Sequence, residues 1–142
     1  MFGMLRMGVL VGCACVLFSN YIGLDYFRSP TLHLQGFWDA FGATPLVAYL
    51  LGPLGEEMIY QGGLQTWLQR FGPVAAILGA TAPFWGSHLY GGFVPMHHAL
   101  IFLLPSTLAF ALVRQTTKSL GAAIIAHSTY NVLVSSLQVV PR

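Results

Sequence analysis

Ala122-Ala123-Ile124-Ile125-Ala126-His127-Ser128-Thr129-Tyr130-Asn131-Val132-Leu133-Val134 is an apolar stretch with an imidazole and an amide set into it four residues apart. At that spacing His127 and Asn131 share one face of a helix. Their surroundings decide which kind of helix. Of 142 residues, 56% are hydrophobic and only 7% are charged, and the mean hydropathy is +0.69. Soluble domains carry about a quarter charged residues, so the solvent that suits this chain is lipid. His and Asn do serve as hydrogen-bonding glue between membrane helices, but a bundle needing only glue can use Ser or Thr.

A membrane span takes about 20 apolar residues, so five or six helices use nearly the whole chain. The predicted fold is therefore all-α, a polytopic membrane bundle of about six helices with its site in the interior, in a single integral membrane domain over residues 1–142. The apolar runs cover roughly 4–24, 37–54, 56–71, 74–90, 97–113 and 120–139. Between them lie the polar stretch with Asp25, Arg28, Ser29 and Pro30, the break Gly52-Pro53-Leu54-Gly55, the pair Gly72-Pro73, the loop from Gly91 to Pro95, and the basic loop with Arg114 and Lys118. Leu10-Val11-Gly12-Cys13 resembles a lipoprotein cleavage box. Too few apolar residues separate it from Arg6 for a signal peptide, which predicts a first membrane helix instead.

Lys/Arg bias orients such bundles, basic side to the cytoplasm. Six alternating segments put Arg28, Arg70, Arg114 and Lys118 on that side and Arg6 and Arg142 on the other. Both termini then face outward, and Glu56 and His88 lie toward the outer face. The scattered charges, +2 net, form no run that could track a phosphate backbone, so nucleic acid is not an expected partner. Cys13 and Cys15, two residues apart, suit neither a disulfide framework nor a zinc knuckle.

Ionisable side chains inside membrane segments are costly and mark functional sites by default. Taken alone, Glu56 and Glu57 are acids at a helix start, where the dipole favours them, and His88 is an interfacial hydrogen-bonding residue. Together with His127 and Asn131 they make an inventory for hydrolysis. Glu56 with His88 can hold and deprotonate a water, while His127 and Asn131 can donate hydrogen bonds to a developing oxyanion. Phe84 shares a face with His88, and Gln61 lies one turn beyond Glu57. A zinc enzyme is the nearest rival, but no His-Glu-x-x-His motif is present, and His97-His98 follow a loop proline. No metal or cofactor is expected.

Glu56-Glu57-x-x-x-Gln61, Phe84-x-x-x-His88 and His127-x-x-x-Asn131, in that order on successive apolar segments, resemble the three motifs of the CPBP family. That family contains the CAAX prenyl endopeptidases and the bacteriocin-processing or self-immunity membrane proteins. The resemblance covers residues 54–137 as a catalytic core and implies a glutamic-type intramembrane protease that needs no metal. It makes Glu56 the catalytic glutamate, His88 its partner on the water, and His127 with Asn131 the oxyanion hole, with Glu57, Gln61 and Phe84 supporting. The family's first motif usually ends in arginine. Gln61 can hydrogen-bond Glu57 but cannot neutralise it, so either a raised Glu57 pKa or another cation nearby is expected.

The implied substrate is a membrane-anchored protein or peptide, such as a sorting helix or a leader, and the implied location a bacterial inner (plasma) membrane crossed several times. The alternative is a catalytically impaired scaffold or bacteriocin self-immunity protein of the same fold.

Overall fold

The computed structural model describes residues 2–23, 47–90, 96 and 99–136, and among them there is no strand. The all-α expectation holds. The rods number five among the described residues, not about six: α1 is Phe2–Gly23, α2 runs over residues 47–71, α3 is Pro73–Tyr90, α4 is Ala99–Thr117 and α5 is Leu120–Ser136. The polar stretch with Asp25 and Arg28, the loop from Gly91 to Pro95, and His97 and His98 lie outside the described residues.

The lost boundary is Gly52-Pro53-Leu54-Gly55, where the sequence predicts a break and the structure continues. A proline ring inside a helix clashes with the carbonyl four residues back. Here the turn before it, Val47–Leu51, is π-helical, and Pro53 sits in the first turn of the α-helical stretch Gly52–Glu57. The wider π turn takes up the misfit, so the rod goes on. Pro105 repeats the arrangement, following the π turn Ala99–Leu103 of α4. Glu56 and Glu57 therefore lie inside a long helix instead of opening one.

Gly72 alone joins α2 to α3. Its φ of +99° is closed to L side chains, and Pro73 then starts α3, where no N–H is needed. The reversal lays Tyr60 against Phe84, with ring centroids 5.0 Å apart. Lys118, left-handed at φ +55°, and Ser119, whose hydroxyl accepts from the Ala122 N–H at 3.3 Å, turn the chain from α4 into α5.

Backbone approach decides where α1 sits. A Cβ on Gly8 would stand 2.7 Å from the Ala122 carbonyl oxygen, and one on Gly12 2.7 Å from that of Ala126. Small residues four apart on both helices thus let the two backbones touch, the packing that membranes favour. The contacts advance together along both chains, so α1 and α5 run parallel, and Val16, Phe110, Ala126 and Tyr130 close the core beside them.

Gln65 reaches Ala111 and Gln69 reaches Gln115, so α2 and α4 are also parallel. It follows that Arg6, Arg70, Arg114 and Lys118, all the Lys and Arg among the described residues, lie at one end of the bundle. Six alternating segments put Arg6 at the other end; the parallel pairs α1–α5 and α2–α4 place it here. On length and apolarity, one described helix, Ala99–Thr117, suffices to cross a membrane, while Phe2–Phe18 and Leu120–Val134 are apolar over shorter lengths.

Gly12→Leu drives a side chain into the α5 backbone, an overpacking cost of about 1–3 kcal/mol. The expected result is a lower Tm for the detergent-solubilised protein. Gly3→Leu, whose Cβ meets nothing within 4 Å, leaves the Tm unchanged.

Candidate active site

His127 occupies the centre of the bundle, 5% exposed, its ring stacked on Phe110 with centroids 4.8 Å apart and met edge-on by Phe84 at 5.7 Å. Both ring nitrogens face carboxylates. Nδ1 is 2.9 Å from Oε1 of Glu57, a hydrogen bond, and Nε2 is 3.7 Å from Oε2 of Glu56, an ion-pair distance.

The two acids differ sharply in setting. Glu57 is fully buried, whereas the Glu56 side chain is 36% exposed. An ionised carboxylate only accepts, so with Glu57 charged it is the His127 Nδ1–H that donates. A neutral ring then has an acceptor at Nε2. For Nε2 to donate as well, the ring must be an imidazolium, and it would lie between two carboxylates. A buried charge-assisted pair of this kind is strong, because the alternative in an apolar interior is an unpaired charge.

The expectation that Gln61 would hydrogen-bond Glu57 is corrected here. Glu57 pairs with His127, and Oε1 of the buried Gln61 has no partner. An imidazole N–H across the bundle can carry charge, which an amide cannot, and so it makes the better partner for a carboxylate. The partner that the structure gives Glu57 is thus the His127 ring.

His88 lies near the end of α3 and is held by Phe84 twice over. Its ring stacks on the Phe84 ring at 4.8 Å, and Nδ1–H donates to the Phe84 carbonyl oxygen at 3.0 Å. That bond fixes the tautomer and leaves Nε2 as the basic nitrogen. Phe84, 1% exposed, consequently touches both histidines and Tyr60. Asn131 stands one turn beyond His127 on α5, half-buried.

Glu56, Glu57 and His127 therefore converge directly, and Phe84 ties His88 to the same aromatic cluster. Phe110, which backs the His127 ring, carries no signal in the sequence that separates it from other core aromatics. Gln65 was also missed, although its spacing of four from Gln61, and of eight from Glu57, was there to read. It is 1% exposed, and its Nε2–H donates to the Ala111 carbonyl at 3.0 Å. Oε2 of Glu57 and Oε1 of Gln61 and Gln65 are buried without hydrogen-bond partners, and each such atom costs about 1–3 kcal/mol if it stays dry.

No curated protein and no solved structure matches the chain. A family model does match it, the one described as type II CAAX prenyl endopeptidase Rce1-like, over residues 38–133. That span includes Glu56, Glu57, Gln61, Phe84, His88, His127 and Asn131 and most of four of the five rods. The helices, the buried acid–imidazole cluster and the matched span agree, and the chain belongs to the type II CAAX prenyl endopeptidase Rce1-like family of membrane proteases.

Proposed function

We propose that the protein is a glutamic-type intramembrane endopeptidase that cuts a membrane-anchored protein or peptide without a metal ion. The observation that carries this reading is His127, held between Glu57 and Glu56 in the interior of the bundle. Glu56 is the acid with access to solvent and takes the proton of the attacking water. His88 accepts from the same water through Nε2, the nitrogen that its Phe84 bond leaves basic. His127, as imidazolium, donates from Nε2 to the oxyanion, and Asn131 adds its amide N–H from the next turn. Glu57 holds the ring by Nδ1 and balances its charge.

The orientation follows from the ends of the bundle. The end with Arg6, Arg70, Arg114 and Lys118 faces the cytoplasm. Glu57 lies fourteen residues before Phe71, about 20 Å along α2 at ~1.5 Å per residue, so the site opens toward the outer half of the bilayer. This setting favours a substrate such as a sorting helix or leader of an exported protein, in a bacterial inner membrane that the chain crosses several times.

Separate substitutions test the roles. Glu56→Gln, His88→Ala and His127→Ala each lower cleavage of a co-reconstituted reporter by about 10²–10⁴, and Asn131→Ala by about 10²–10³; the Tm is unchanged in all but His127→Ala, which leaves the buried Glu57 without its partner and lowers it. Activity or phenotype that survives the first three substitutions shows a scaffold or self-immunity protein instead. Processing persists in 1,10-phenanthroline; its loss, with recovery on adding zinc, would sink the metal-free mechanism. In a cysteine-free background, Lys118→Cys reacts with a membrane-impermeant maleimide only in inverted vesicles, and labelling in right-side-out vesicles would reverse the orientation.

A further inference from the structure

The cation-bearing end of the bundle has no acid of its own among the described residues: Glu56 and Glu57 sit about 20 Å away along α2. Two of its cations converge on one turn of that helix. Thr66 and Arg70 are four residues apart and share a face. Arg114 crosses from α4 and donates from Nη2 to the Thr66 hydroxyl oxygen at 3.4 Å, so its guanidinium arrives within a helical turn of Arg70. No ion pair among the described residues answers either group. Like charges this close repel, and an anion between them removes the repulsion.

Arg70 is held in place without any anion. Its guanidinium carbon lies over the Trp67 ring, 3.8 Å from the centroid, and 4.7 Å from the centroid of Phe71. Those two rings meet edge to face at 5.9 Å. Stacking uses the face of a guanidinium and leaves the N–H groups on its rim for a second partner. Arg70 is exposed, and among the described residues it makes no hydrogen bond. Arg114 has its Nε enclosed, so it offers a ligand only its terminal nitrogens. Planar guanidinium forks match the paired oxygens of a phosphate.

The apolar surroundings choose among phosphates. Trp67 is 54% exposed, Phe71 61% and Val74 67%, and Leu78, one turn further along α3, is exposed as well. Trp favours the membrane–water interface, and α3 carries Val74 and Leu78 away from the cations toward the bilayer interior. A soluble phosphate has no use for that strip, whereas a phospholipid lays its chains along it. A zwitterionic headgroup brings a cation of its own against the two guanidinium groups. We infer that Arg70, Arg114 and Trp67 form a binding site for the phosphate of an anionic phospholipid in the leaflet at the cation-bearing end, with Phe71, Val74 and Leu78 against its chains. The site lies apart from Glu56, Glu57 and His127, and its occupancy does not depend on the proposed proteolysis.

The test is native mass spectrometry of the detergent-solubilised full chain, titrated with phosphatidylglycerol or with phosphatidylcholine. One phosphatidylglycerol should bind roughly tenfold more tightly than phosphatidylcholine, and Arg70→Gln and Arg114→Gln should each weaken it about fivefold. Trp67→Leu keeps every charge but removes the platform under Arg70, and should weaken binding about threefold. Arg6→Gln, at the same end but on α1, should leave the affinity within about twofold. Equal binding of the two lipids overturns the proposal. So does an equal loss in Arg6→Gln and Arg70→Gln, which means diffuse attraction to a charged end and no site. Excess inorganic phosphate should not displace the lipid; displacement gives the site to a soluble phosphate and overturns the lipid assignment. Tm measurements separate loss of the site from misfolding, and where Trp67→Leu or Arg114→Gln loses stability, the exposed Arg70→Gln decides alone.

Discussion

A carboxylate at zero exposure in an apolar bundle is tolerable only with a partner that can share its charge, and the 2.9 Å bond between Glu57 and His127 meets that condition. Much of the architecture is read most simply as what brings the two together. They are 70 residues apart in sequence, on helices that must pack at a fixed rotation and height. α5 is set in rotation by Phe110 and Phe84 around the His127 ring, and in height by the approach of α1 at Gly8 and Gly12. Removing either partner would strand a charge or an unpaired donor in a medium that cannot solvate it.

The same pair divides labour between two neighbouring acids of identical chemistry. One helical residue apart, Glu56 and Glu57 point to different surroundings, one partly exposed and one fully buried. Environment, not residue type, separates the two acids. Phe84 does the corresponding work for the histidines. By accepting from Nδ1 through its carbonyl and stacking through its ring, it gives His88 one tautomer and one orientation.

Much of this was legible in the residues. The apolar composition gave the all-helical class, and the spacing of four between His127 and Asn131, and between Phe84 and His88, placed those pairs on shared faces. What misled was proline. Gly52-Pro53 reads as a helix end by local preference, but a preceding π turn absorbs the ring, and no local rule announces that turn. The end of the bundle at which Arg6 lies was set by helix pairing across the bundle, which a Lys/Arg count along the chain does not see. The partner of Glu57 was also beyond local reading: Gln61 is near in sequence, whereas His127 is near only once α5 has packed.

The one-residue turn at Gly72 bears on assembly order. α2 and α3 meet through contacts close in sequence, such as Tyr60 with Phe84, and local contacts form early. Glu56, Glu57 and His88 thus belong to one local hairpin, whereas His127 comes from α5. His127 is contributed by the last described rod, so the chain acquires its acids first and the base that secures them last. A truncated chain stopping short of α5 would hold Glu57 with no imidazole to answer it.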